Sequence, residues 1–121
     1  MNFVEAEKYI AMTYTIDVSN CNPLLIANRE YVLRYVTELC DSLGTKPNGE
    51  SILTYFDSDK KGFSVVQITQ DGIITCHSII GKDIMHIDIF SYKNIDSLKT
   101  TNFTVAWFEG SNRNTNILYR K

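Results

Sequence analysis

Cysteine is scarce in this chain. Cys21, Cys40 and Cys76 make an odd count with no CxxC spacing, which speaks against a disulfide framework and predicts reduced thiols in an intracellular, cytoplasmic protein. An excess of charge is lacking too. Twelve Lys and Arg stand against 14 Asp and Glu, a net charge of −2 with a pI of about 5.6, whereas nucleic-acid-binding domains usually run strongly basic. No nucleic-acid partner is expected. No apolar run approaches the roughly 20 residues of a membrane span, so no membrane association is expected either. The start, Met1 to Glu7, carries acids and no basic region and does not read as a signal peptide. Only two histidines occur, His77 and His86, and no third ligand has a fitting spacing, so no metal is expected. Linkers rich in Pro, Gly or Ser, internal repeats and low-complexity tracts are also missing, and residues 1–121 read as a single domain.

What is present suits a packed core. Hydrophobic residues make up 44% of the 121 residues and aromatics 12%, and a chain of this length buries roughly two thirds of its unfolded surface. From Tyr9 to Val18 the residues Tyr14, Ile16 and Val18 alternate with Thr13, Thr15 and Asp17, the period of a strand. Ser19 to Pro23 is dense in turn formers. From Arg29 the period changes: Val32, Val36, Leu39, Cys40 and Leu43 form one helical stripe, with Asn28 placed to cap its start and Gly44 its end. Beyond Pro47 the chain reads as strands over Ser51 to Phe56, Phe63 to Thr69, Ile73 to Ile80 and Ile84 to Ser91. The turns between them are short, Asp71-Gly72 and Gly81-Lys82-Asp83 among them. A helix is predicted over Tyr92 to Lys99. Strands are predicted over Phe103 to Phe108 and Ile117 to Arg120, with a loop from Gly110 to Asn116 between them. This order predicts an α+β two-layer sandwich, an antiparallel sheet with helices on one face.

Several of these segments resemble a known family. Asp17-Val18-Ser19-Asn20-Cys21-Asn22-Pro23-Leu24-Leu25, followed by the amphipathic helix ending at Gly44, is similar to the opening of bacterial S-adenosylmethionine decarboxylases. Gly62-Phe63-Ser64-Val65-Val66, Asp71-Gly72, His77 and Asp88-Ile89-Phe90 resemble that family's central segment without a gap. The family builds a pyruvoyl group from a serine by backbone self-cleavage, and that ketone accepts the decarboxylation electrons. The resemblance puts Gly72 at the serine's position, Tyr92 at the proton-donating cysteine and Ile79-Ile80-Gly81 at the Trp-Pro-Glu after the histidine. Ser64 and His77 remain of the processing and catalytic set. Glycine has no hydroxyl, so the resemblance implies a scaffold without its cofactor. It also implies a homo-oligomer associating across sheet edges with sites near subunit interfaces, where Tyr31, Tyr35 or Trp107 could serve contacts.

A scaffold of this kind can still hold a sulfonium nucleoside between aromatic faces and carboxylates. The substrate's own carboxylate can then attack its γ-carbon and expel methylthioadenosine, leaving homoserine lactone, with no cofactor. The functional expectation is a cofactor-independent lyase of S-adenosylmethionine or its AMP conjugate, by analogy with phage and CRISPR-associated lyases. Two rivals stand beside it. One is an inactive decarboxylase homologue that binds S-adenosylmethionine or a partner. The other is a decarboxylase processed at Ser64 or Ser78.

The candidate residues each read two ways. His77 is a site histidine or a half-buried structural one. Thr75 shares its face by the period of two. A two-residue turn at Gly81-Lys82 would set His86 opposite His77, and a three-residue turn would shift the pairing. Asp71 offers a carboxylate or simply forms a hairpin turn. Ser64 orients a substrate group or is incidental. Glu50 binds ribose or amine, or is a solvated charge. Tyr55, Phe56 and Phe63, around the polar loop Asp57 to Gly62, stack on adenine or fill the core. Tyr92 presents its hydroxyl to substrate or packs at a strand end. Lys60-Lys61 attracts a phosphate or is a solvated loop tip, and Cys76 points away from His77.

Overall fold

A computed structural model describes residues 9–121, and the acidic start Met1 to Glu7 lies outside the described residues. Nine elements follow in order: β1 (Ala11–Ser19), α1 (Pro23–Ile26), α2 (Arg29–Leu43), β2 (Ile52–Tyr55), β3 (Gly62–Ile68), β4 (Gly72–Ile79), β5 (Ile84–Ser91), α3 (Ser97–Phe108) and β6 (Asn112–Arg120). The strands form one sheet in the order β2-β3-β4-β5-β1-β6, antiparallel at every pairing. This is the α+β sandwich that the sequence predicts.

The alternation along β1 decides which face is covered. Tyr14, Ile16 and Val18 are buried, as are Phe63 and Val65 of β3, Ile74 and Cys76 of β4, and Met85, Ile87 and Ile89 of β5. The helices close over this face. Asn28 caps α2 by accepting from the Tyr31 N–H at 3.1 Å, and Gly44 ends it in the left-handed conformation, φ 73°, which glycine adopts without a Cβ penalty. Val32, Tyr35, Val36, Leu39 and Cys40 are its buried stripe. Tyr35 is wholly inside: its hydroxyl pairs with that of Thr104 at 2.7 Å and its ring lies 4.7 Å from that of Phe108. It is therefore core, and the expected contact role falls away from it. Tyr31 and Trp107 pack beside it at the margin, ring centroids 5.1 Å apart.

The expected strand at Phe103 to Phe108 is instead the second half of α3. Its Thr and Val content favours strands by local propensity, but Thr100, Thr101, Thr104 and Phe108 are buried at helical spacing. Tertiary burial outweighs a propensity spread over about 1 kcal/mol. Asp96 caps the start by accepting from the Lys99 N–H at 3.1 Å, so the helix predicted over Tyr92 to Lys99 begins later and runs further. The predicted loop at Gly110 to Asn116 is mostly β6, an edge strand whose polar side chains hid it. Among the described residues no helix is long and apolar enough to cross a membrane.

Candidate functional site

The helices leave the other sheet face uncovered, and the period of two sends Ser64, Thr75, His77, His86, Asp88 and Asp17 onto it. Register aligns them. Ser64 stands opposite His77 across β3 and β4, His77 opposite His86 across β4 and β5, and His86 opposite Asp17 across β5 and β1. Ile79 pairs with Ile84, so the connection takes four residues yet keeps the register that the two-residue turn would give.

Hydrogen bonds join four of these side chains. Ser64 Oγ lies 2.7 Å from His77 Nδ1, and His77 Nε2 lies 3.2 Å from Asp88 Oδ2. Thr75 donates its hydroxyl to the same Oδ2 at 3.2 Å. With its proton on Nε2, His77 donates to the carboxylate and accepts the serine hydroxyl at Nδ1. The second carboxylate oxygen stays free for a ligand. Side-chain exposure is 32% for His77 and 46% for Asp88, so the group is reachable from solvent. Its cross-strand surroundings carry two carboxylates, Asp17 and Asp88, and no lysine or arginine. On this face Arg120 stands at the far end, donating to Thr13 Oγ1 at 3.2 Å.

Of the aromatic candidates, Phe56 joins this face. It is 50% exposed and its ring lies across Gly62, where an added Cβ would come within 2.5 Å of it. Gly62 is one step along the open face from Ser64. Phe63 goes to the opposite face and is 0% exposed, with Tyr55 edge-on to it at 5.6 Å. Both take the packing role, because a strand residue cannot face the helices and the open side together. Lys60 lies over the Tyr55 ring, 5.4 Å from its centroid.

Asp71 and Tyr92 meet each other and not His77. They lie at the sheet's end, where the Tyr92 N–H donates to the Asp71 carbonyl at 2.9 Å, about 20 Å of extended strand from His77. Tyr92 packs edge-on against Phe90 at 5.1 Å and, with Tyr119 and Lys93, lines a cavity of about 130 Å³. Glu50 is exposed in the loop before β2. At Gly72 the β4 backbone runs close against β5. A Cβ there would overlap the Phe90 carbonyl oxygen and stand 2.8 Å from its carbon and 3.1 Å from Ser91 Cα.

Sequence reasoning gave no role to Asp88, Asp17 or His86 in this cluster. Asp88 is diagonal to His77, a relation that exists only once the β4–β5 register is fixed. The signal available was the alternation His86, Asp88, Phe90, which sets all three on one face. All three cysteines are free and buried. Burial pushes the Cys21 thiol up to about 11 and raises Cys40 and Cys76 as well, so none is a ready nucleophile. Among the described residues no three His, Cys, Asp or Glu side chains gather to hold a metal.

Comparison with known proteins places the fold. The crystal structure of the adenosylmethionine decarboxylase from Aquifex aeolicus superposes with a TM-score of 0.78 at 10% identity, over 93% of this chain and 91% of that one. A likeness at that identity speaks for the fold alone. Curated protein sequences return no match. The family model described as S-adenosylmethionine decarboxylase matches residues 12–121, and the chain belongs to that family.

Proposed function

We propose that the protein is a cofactor-independent lyase that cleaves S-adenosylmethionine or its AMP conjugate to methylthioadenosine (or its AMP conjugate) and homoserine lactone. One observation carries the reading: an exposed cluster of hydroxyls, imidazoles and two carboxylates with no fixed cation, on the open face of a decarboxylase-type sheet. The pyruvoyl group used by the family does not fit here. Gly72 supplies no hydroxyl, and the overlap with Phe90 leaves no room for a side chain at that position. Ser78 donates to the Ile26 carbonyl in the core and faces the helices, which disfavours processing there.

The chemistry asked of the protein is positioning. A carboxylate oxygen of the substrate bonds to its γ-carbon, the γ-carbon–sulfur bond breaks, and the electron pair stays on sulfur. Holding the two ends in near-attack geometry is worth on the order of 7–11 kcal/mol. The His86 imidazole orients the attacking carboxylate, the Ser64 and Thr75 hydroxyls hold His77 and Asp88 in place beside it, and Phe56 offers a π face to the cation or the adenine. The substrate's two charges cancel as the bond breaks, so protein carboxylates hold the sulfonium more tightly before reaction than during it. Asp17 and the free oxygen of Asp88 therefore serve binding and do not speed the chemical step. Asp71, Tyr92 and Glu50 lie outside the cluster, and the reading gives them no chemical step.

The uncovered face and the exposed edge β6, where Ile117 and Leu118 are 40% and 58% exposed, also support a homo-oligomer with its sites near the subunit interface. Incubation of the purified protein with each substrate, followed by chromatography, tests the reading. Methylthioadenosine or its AMP conjugate is the expected product. Tight binding of S-adenosylmethionine with no product from either substrate would favour the inactive homologue instead.

A further inference from the structure

The hydrogen-bonded chain Ser64–His77–Asp88 has a chemistry that lactone formation within the substrate does not use. A hydroxyl within 2.7 Å of an imidazole nitrogen, with the other nitrogen held by a carboxylate at 3.2 Å, is the set of groups that activates serine as a nucleophile, here with the two ring nitrogens in exchanged roles. The carboxylate is itself fixed, because Thr75 donates to the same oxygen at 3.2 Å. The four side chains project from adjacent paired strands, not from loops, and face solvent. We propose that Ser64 is an acyl-accepting nucleophile and that the open face hydrolyses small esters, with five-membered lactones as the preferred class.

The steps balance without a cofactor. Ser64 Oγ bonds to the ester carbonyl carbon while its proton passes to His77 Nδ1. The carbon–oxygen bond of the leaving alcohol breaks, and His77 returns the proton to that oxygen. Water then attacks the acyl-serine, giving its proton to His77, and Ser64 leaves with a proton restored. The net reaction is ester plus water to acid plus alcohol. For a lactone both products stay in one molecule, a hydroxy acid. Preference for that class rests on the lyase reading, since a lactone would form on this same face; the nucleophilicity of Ser64 does not.

The oxyanion limits the rate. Ser64 sits inside a strand paired on both sides, so its backbone N–H is taken up by the ladder. Thr54 stands opposite Ser64 and His86 opposite His77, so the register sets these two side chains beside the reacting pair as its donors. Removing one oxyanion donor typically costs a factor of 10² to 10³ in established hydrolases. Turnover is accordingly slow, and covalent capture is the sensitive readout.

The test treats the full chain with a fluorophosphonate probe and measures intact mass, followed by peptide mapping. One phosphonyl group on Ser64 is expected. Labelling should be lost in Ser64→Ala, slowed at least tenfold in His77→Gln, and unchanged in Ser58→Ala, which lies in the exposed β2–β3 loop. Circular dichroism of each variant checks the fold. Hydrolysis of p-nitrophenyl acetate and γ-butyrolactone should follow the same order. No adduct on Ser64, or equal labelling in folded His77→Gln, overturns the proposal. The probe does not depend on methylthioadenosine release, so labelling without that product would sink the lyase reading alone, and product without labelling would sink this one alone.

Discussion

Replacing Gly72 by serine would restore the hydroxyl that the decarboxylase chemistry needs, and the structure says that the fold will not accept it. An added Cβ overlaps the Phe90 carbonyl oxygen and stands 2.8 Å from the Phe90 carbonyl carbon, so β4 and β5 must part at this end. Two backbone bonds hold the same corner: Thr69 N–H to the Gly72 carbonyl and Tyr92 N–H to the Asp71 carbonyl, both 2.9 Å. Overpacking costs about 1–3 kcal/mol, and each lost hydrogen bond adds about 0.5–1.5 kcal/mol. Gly72→Ser should therefore destabilise the protein by about 2–6 kcal/mol, a fall in Tm on the order of 10 °C for a domain of this size. Thermal unfolding followed by circular dichroism reads the first number, and intact mass reads the second consequence, a single uncleaved chain near 13.8 kDa. A variant as stable as the parent, or one split into two fragments with a ketone-blocked end, would show that this corner does have room for the hydroxyl.

Other perturbations separate core from site. Phe63→Ala should cost about 3–5 kcal/mol in denaturant unfolding because it empties the core. Phe56→Ala should leave stability within about 0.5 kcal/mol but weaken S-adenosylmethionine binding in calorimetry. In the lyase assay Asp17→Asn should raise KM severalfold and raise kcat rather than lower it, since that carboxylate grips the ground state more than the transition state. The native thiols should resist Ellman's reagent at pH 8 and react once the chain is unfolded. Burial raises the Cys21 thiol from 9.0 to about 11, so above pH 9 the unfolded chain loses protons that the folded one keeps. Stability should then fall progressively from pH 9 toward 11, measured by urea unfolding at stepped pH.

Much of the architecture was legible in local pattern. The stripe Val32, Val36, Leu39 and Cys40 and the caps Asn28 and Gly44 announce α2 because each is a short-range signal. The alternation along β1 likewise fixes which side chains go inward. Helix α3 was illegible where Thr and Val supply strand propensity, and its identity comes from burial against Tyr14 and Tyr35, which sequence does not display. Strand β6 hid for the converse reason: as an exposed edge it needs no apolar alternation. At the site, Ser64 and His77 came from the family resemblance, and Thr75 from the period of two. Asp88 needed the pairing across β4 and β5, which the turn around Gly81 (φ 93°) and Asp83 (φ 58°) sets. Asp71 and Tyr92 were drawn to the site by their segment positions, yet strand rise alone carries them about 20 Å away.

Displacement of the thioether by the substrate's own carboxylate, without a cofactor, can be followed by turnover in ¹⁸O-labelled water. Methylthioadenosine or its AMP conjugate should appear together with a lactone that carries no ¹⁸O, and any later ring opening should place the label in the carboxyl group. Label on the γ-hydroxyl of homoserine, or no thioether product from either substrate, would contradict it.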